Sequence, residues 1–413
     1  MKRRRFTQIL SFGAGSMSFL SVAAQETDGS TDEQSQDDDR DDQAVAATGS
    51  ERVVSASSPQ PVKVEDYIAL SQAKLPKATF DYITTGSADE ITLRENVAAF
   101  RRIKVLPPLL TGVAKADLST RVLNERISLP VMLAPVAALG MYHPQGALAA
   151  ASAAASAGTL FAVSSSAGHS VEEIAAAAPG PKWFQLYVPK DRTVARRLVE
   201  RVERSCYQAI IVTVDLGEWK DADRRNRFSL PKQMLLKHLR DVGHEQLSDK
   251  MSYEELSAFN ARAWDLSISW NFFDWLRSVT KLPLLVKGVL RKEDALRAVS
   301  IGLDGIIVSN HGGRRLDGMP ASIDRVSEIA EAVQGRAEVL MDGGIRRGTD
   351  VLKAVALGAK AVLIGRPHAW ALASDGESGV RRVIELLREE FENAMIATGC
   401  ARVDEINRSL IQS

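Results

Sequence analysis

The stretch IIVSNHGGRRLDG, residues 306–318, joins an apolar run to a histidine, two glycines and two arginines. Ile306, Ile307 and Val308 deliver Ser309, Asn310 and His311 to the end of the run, and Arg314 follows three residues later. An imidazole titrates near neutral pH and can act as a general base. A guanidinium nearby can hold a carboxylate or a phosphate through two parallel hydrogen bonds. Base plus anion clamp is one reading of the stretch, and a polar loop end is the plainer one.

Other residues able to do chemistry also stand at the ends of apolar runs. They are Ala134-Pro135, Ser164-Ser165, Gln185 with Tyr187, Thr213 with Asp215, Lys287, Asp342-Gly343-Gly344, and Gly365-Arg366. Exposure to water accounts for Ser and Thr at such ends. It accounts less well for a Lys, an Asp and a His together. The stretches DGGIRRG and IGRP pair glycines with Arg346 and Arg366. Glycines let backbone N–H groups approach an anion, and arginine adds charge-assisted bonds, so these two loops form a candidate phosphate cradle.

The runs that must position these residues number eight: 129–136, 160–165, 183–188, 209–215, 283–288, 305–310, 338–344 and 361–366. Each is short, rich in β-formers and continuously apolar, as parallel strands buried on both faces are. Amphipathic segments such as EDALRAVSIG and GTDVLKAVALG lie between most of them. Eight such units predict a closed (β/α)8 TIM barrel, whose functional residues gather at the C-terminal strand ends and whose seventh and eighth loops often bind phosphate. Residues 62–86 read as two short helices ahead of the barrel. Residues 229–262 are a long insertion between the fourth and fifth strands, expected to act as a lid. Its LPKQMLLKHL segment is basic and amphipathic, so an ordinary solvated lid and a membrane-surface contact both stay open.

Composition narrows the class. The 413 residues are 45% hydrophobic with zero formal charge. The charge is uneven: residues 1–24 carry four bases and no acid, and residues 25–51 carry ten acids and one base. The remaining excess of bases is mild and scattered, which argues against a nucleic-acid surface. Cys206 and Cys400 are too few for a disulfide framework or a zinc site and are expected to be buried thiols; no metal site is expected. Residues 1–24 read as a cleavable signal peptide ending at Val22-Ala23-Ala24, and Arg3-Arg4-Arg5-Phe6 resembles a twin-arginine signal, implying an exported protein. Residues 25–61 read as an acidic, disordered linker, and 62–413 as the barrel domain.

The strings SNHGGRRLDG, VKGV, DGGIRRGTDVLKAVALG, FQLYV and IGRP closely resemble the FMN-dependent α-hydroxy acid oxidase/dehydrogenase family, which includes glycolate oxidase, lactate oxidase and dehydrogenase, and mandelate dehydrogenase. The resemblance runs in one order from Val64 to Ser409. It implies FMN as cofactor and oxidation of a small L-2-hydroxy acid, lactate- or glycolate-like, to the 2-oxo acid. O2, a quinone or a cytochrome would accept the electrons, and the assembly would be a homotetramer. His311 matches the base, Asp215 its supporting carboxylate and Tyr187 the tyrosine facing the substrate oxygen. Tyr82 and Arg314 match the substrate carboxylate clamp. Lys287 matches the lysine beside the flavin N1/O2 edge. Ala134, Pro135, Ser164, Gln185, Thr213 and Ser309 fall among the remaining flavin contacts. Asp342, Gly344, Arg346, Gly365 and Arg366 match the ribityl and phosphate contacts.

Three positions depart from the family pattern. The slot of a second carboxylate-binding arginine holds Lys220, after Trp219, in TVDLGEWKDADRRNRF; Arg224 or Arg225 is an alternative if the loop is re-registered. Lysine lacks the planar fork, so the exchange is not conservative. Ser166 stands where some members carry a bulky side chain over the substrate, and Arg315 replaces a glutamine. Two alternatives therefore remain: an FMN-binding barrel with altered or lost hydroxy-acid activity, and a different FMN- or phosphate-binding barrel enzyme such as an isomerase.

Overall fold

The computed structural model describes residues 60–215 and 229–412. The expected signal peptide, nearly all of the expected acidic linker, and Trp219, Lys220, Arg224 and Arg225 lie outside the described residues.

All eight expected strands form. They are β1 (Val131–Leu133), β2 (Phe161–Ser164), β3 (Lys182–Leu186), β4 (Ala209–Thr213), β5 (Leu284–Val289), β6 (Gly305–Val308), β7 (Glu338–Asp342) and β8 (Ala361–Ile364). Each pairs in parallel with the next, and β8 pairs with β1, so the sheet closes into a barrel. Strand side chains alternate in direction. Every strand sends a residue into the interior apolar layer, namely Met132, Ala162, Trp183, Ile211, Leu285, Ile307, Leu340 and Leu363, and β4 and β8 add Ala209 and Ala361. A hairpin, Thr120–Val122 against Glu125–Ile127, adds Val122 and Ile127 to that layer and closes the lower end.

The helices shield the outer faces. Three precede the barrel: α1 (Asp66–Lys74), α2 (Lys77–Thr84) and α3 (Ile91–Arg102). The barrel ring is α4 (Gly146–Ser156), α5 (Val171–Ala177), α6 (Arg192–Arg204), α9 (Asn271–Val279), α10 (Lys292–Ser300), α11 (Ile323–Val333), α12 (Gly348–Ala356) and α13 (Arg366–Ala397); α7 (Lys232–Asp241) and α8 (Tyr253–Ala263) come from the insertion. The Ala-rich sequence of α4 buries six alanines, a thin surface that lets neighbouring helices approach closely. Ser170 and Ser252 open α5 and α8 with reciprocal capping boxes to Glu173 and Glu255. Helix α13 is broken at Asp375-Gly376.

One expectation changes, and one open alternative loses support. The apolar face of α7 is spent inward: Leu235, Leu236 and Leu239 form a small core with Leu247 and Leu256. That removes the residues a membrane contact would need, and among the described residues no helix is long and apolar enough to span a bilayer. Cys400 is buried as expected, but Cys206 is exposed, in a left-handed turn at the end of α6.

Candidate active site

The side-chain period of two carries the apolar layer directly into the site. Two residues beyond its members lie Ala134, Ser164, Gln185, Thr213, Lys287, Ser309, Asp342 and Gly365. Seven of these eight line one cavity at the C-terminal end of the barrel, joined there by Pro135, Tyr82, Tyr187, His311, Arg314, Gly344, Arg346 and Arg366. Ser309, expected among the cofactor contacts, is fully buried behind the wall. Its Oγ accepts from Lys287 Nζ at 2.9 Å and from the His311 backbone N–H at 3.0 Å, so it positions both residues.

His311 sits at φ +58°, a left-handed conformation that costs a non-glycine residue about 1 kcal/mol or more. The Ser309 hydrogen bond fixes its backbone, and Asp215 fixes its ring. Nδ1 lies 2.9 and 3.1 Å from the two Asp215 oxygens. Asp215 can only accept, so Nδ1 carries the proton and Nε2 presents its lone pair to the cavity. Tyr187 Oη lies 3.4 Å from Nε2. Burial, opposed by Asp215, pushes the His311 imidazole down to about 4, leaving it neutral at pH 7. Burial alone would raise the Asp215 carboxyl, but His311, Lys287 and Arg315 outweigh it and hold it at about 2.

Lys287 and Asp342 form a buried ion pair at 3.0 Å. Desolvation works against the ammonium, yet Asp342 and Asp215 outweigh it and raise the Lys287 pKa, so the charge persists inside the barrel. Arg346 lies over the Trp370 ring with its centre 5.0 Å from the centroid, and burial brings it down to about 10. Arg314 lies over the Tyr82 ring at 4.8 Å and donates to the Tyr82 carbonyl. Arg366 lines the cavity, but its guanidinium donates to the Thr84, Thr85 and Gly312 carbonyls, tying the end of α2 to the His311 loop.

Several contributors are not among the residues given a role from the sequence. Tyr142 lines the cavity, and its buried hydroxyl has no partner among the described residues. Arg315 places Nε 3.5 Å from His311 Nδ1. Asn96 and Asn310 exchange side-chain hydrogen bonds at 2.8 and 2.9 Å beneath the His311 loop. Gly288, in VKGV, has φ +114°, and a Cβ there would come within 2.7 Å of the Asp215 Cβ. Only glycine lets Asp215 stand where His311 needs it.

The cavity fits FMN. Gln185 Nε2, Thr213 Oγ1 and Asp342 Oδ1 are buried in its wall and lack partners among the described residues. Buried polar atoms are seldom left unpaired, so these require a polar ligand. The Lys287 ammonium suits an electron-rich ring edge, and Gly343-Gly344 beside Arg346 suits a phosphate; a Cβ on Gly344 would collide with the Asn96 carbonyl oxygen.

Comparison with known proteins agrees. The FMN-dependent dehydrogenase family model matches residues 71–413. Human 2-hydroxyacid oxidase 1 is 47% identical over 361 residues, covering 86% of this chain and 97% of that protein. Spinach (Spinacia oleracea) glycolate oxidase is 48% identical over 351 residues, covering 84% and 95%. A solved structure of mandelate oxidase with benzoyl-formic acid superposes with a TM-score of 0.75 at 39% identity, covering 86% of this chain and 98% of that one. A mutant of the active chimera of (S)-mandelate dehydrogenase gives 0.78 at 36% identity, covering 85% and 99%. The barrel, the flavin-shaped cavity and these likenesses place the chain in the FMN-dependent dehydrogenase family, as an FMN-dependent oxidoreductase acting on the CH–OH group of 2-hydroxy acids.

Proposed function

We propose that the cavity oxidises an L-2-hydroxy acid to its 2-oxo acid, with glycolate and lactate as the smallest substrates, and that His311 is the base. The observation that carries this is the His311–Asp215 pair: a neutral imidazole, fixed in one tautomer, with Nε2 facing the cavity. Arg314 and Tyr82 would hold the substrate carboxylate, a guanidinium–phenol pair matched to that anion. The Tyr187 hydroxyl, beside Nε2, would face the substrate oxygen. His311 then takes one proton at Nε2 while Nδ1–H stays with Asp215, whose charge stabilises the imidazolium. FMN, when bound, would take up the two electrons and the second proton released as the CH–OH group becomes C=O. Gln185, Thr213, Asp342, Lys287 and Arg346 would hold and orient it.

Lys220 supports a narrower reading of substrate preference. A point charge in place of a planar fork would grip the carboxylate less tightly. Export rests on residues 1–24 alone, and retention of a fusion in the cytoplasm of a twin-arginine-deficient bacterial host would support that route.

The deciding experiment adds glycolate, L-lactate and L-mandelate separately to the purified yellow protein without oxygen. Bleaching by one of them supports the reading, and readmitted oxygen then separates an oxidase from a dehydrogenase. A flavin that none of them reduces sinks it.

A further inference from the structure

A second cavity, of about 170 Å3, opens beside the first at the same end of the barrel. Its inner wall is the reverse of a wall already described. Ala137 faces the first cavity and Ala138 the second; Ser164 faces the first and Ser166 the second. The Ser166 N–H donates to Ser164 Oγ at 3.1 Å, and the Ala138 N–H donates to the Ser166 carbonyl at 2.8 Å. A single turn of backbone therefore divides the two spaces, and the side chain on that ridge is only a serine. The outer wall is the lid: Met234 and His238, four residues apart, show one face of α7 to the cavity. His238 stacks on Trp264 with centroids 5.8 Å apart, and Trp264 meets the edge of Tyr187 at 6.2 Å. The second space thus begins about two aromatic rings from the His311 base.

The lining is chiefly apolar and small. Among the described residues the one ammonium on it, Lys237, is engaged by Glu173 at 2.9 Å and Asp241 at 2.8 Å. Burial lowers the pKa of both the His169 and His238 imidazoles, that of His238 to about 4. A space near 150 Å3 is enough to hold a benzene ring. We propose, resting on the 2-hydroxy acid reading above, that this cavity receives the substrate's side chain, so that the favoured substrates are 2-hydroxy acids bearing an unbranched alkyl chain of about six carbons. The carboxylate stays at Arg314 and the hydroxyl carbon at His311, and the chain crosses the Ser166 ridge.

Each methylene taken from water into such a space contributes about fourfold in affinity. The test compares glycolate with L-2-hydroxyoctanoate in anaerobic flavin reduction by the full-length holoenzyme, and the unreactive acetate with octanoate in binding followed by tryptophan fluorescence. The expected result is a kcat/KM ratio favouring the octanoate derivative at least tenfold, with octanoate binding tighter than acetate by a similar factor. Ser166→Trp fills the cavity from the ridge, and Met234→Trp fills it from the lid. Either should bring both ratios down at least tenfold, so the failure of one variant to fold leaves the other. A wild-type ratio at or below one, or ratios that neither variant moves, overturns the proposal. If no hydroxy acid reduces the flavin, the 2-hydroxy acid reading falls, and the octanoate-to-acetate binding ratio still decides whether the cavity takes an alkyl chain.

Discussion

Asp215→Asn removes one charge from the base and almost nothing else. The side chain keeps its size, and the amide oxygen can still accept the proton on His311 Nδ1, now 2.9 Å from Asp215 Oδ1. What is lost is the anion that stabilises His311 once it has taken a proton. Two unit charges about 4 Å apart interact by about 4 kcal/mol at the effective dielectric that suits protein sites. At about 1.4 kcal/mol per decade that is close to a thousandfold. The proton is only partly transferred in the transition state, so the rate of anaerobic flavin reduction should fall by about 10^2 to 10^3. The pH profile gives an independent check. Burial lowers the His311 pKa, and Asp215 raises it against that trend, to about 4. The wild-type kcat/KM should thus be level above pH 5 and fall as pH drops through 4. In Asp215→Asn the opposing charge is gone, so the inflection moves lower still. A variant with full flavin content that keeps its rate within threefold, or whose inflection moves upward, would refute the role given to Asp215.

Four further outcomes follow from the same contacts. Lys287→Met leaves the Asp342 carboxylate buried without its partner, a loss of about 3 kcal/mol or more; Tm should drop by several degrees and FMN retention with it, and an unchanged Tm would show that the pair is not buried as described. Gly288→Ala forces a Cβ against Asp215 at a φ of +114° and should lower kcat at least tenfold in a barrel that still gives native far-UV circular dichroism; wild-type turnover would contradict the packing. His238, His311 and His368 are each held at about 4 mainly by burial, whereas the unfolded chain binds those protons near pH 6.5. Their contribution is complete above pH 6.5 and is lost as pH falls toward 4, so unfolding free energy should decline there with a slope of up to about three protons, and a flat curve would exclude it. Lys220→Arg restores a planar fork and should lower KM for glycolate and lactate; an unchanged KM would remove Lys220 from the carboxylate site.

The barrel was legible because its strands are buried on both faces and so read as eight plain apolar runs. The inward period of two then carries Met132 to Ala134, Trp183 to Gln185, Leu285 to Lys287 and Leu340 to Asp342. A residue list for the cavity follows from strand register alone. What stayed hidden depends on contacts distant in sequence. Nothing near Arg366 announces that its donors close on carbonyls of residues 84, 85 and 312. Tyr142 is distinguished only by a hydroxyl left unpaired in the folded wall. Gly288 lies within the string VKGV, but its physical reason appears only when Asp215 is seen against it. Arg315 reads only as a departure from a glutamine until the turn at His311 brings its guanidinium beside the base. The inward packing of Leu235, Leu236 and Leu239 in α7 required the partner leucines of α8 and its approach.

The hairpin beneath the barrel has a kinetic consequence. Val122 and Ile127 stopper the lower end, so among the described residues the barrel is closed at its foot and the site opens at the C-terminal end. A hydroxy acid and an electron acceptor that both approach from that end would meet the same bound ring, which favours their doing so in turn. Double-reciprocal plots at several acceptor concentrations should run parallel, and each reactant in excess should inhibit by lodging in the half of the cycle that belongs to the other.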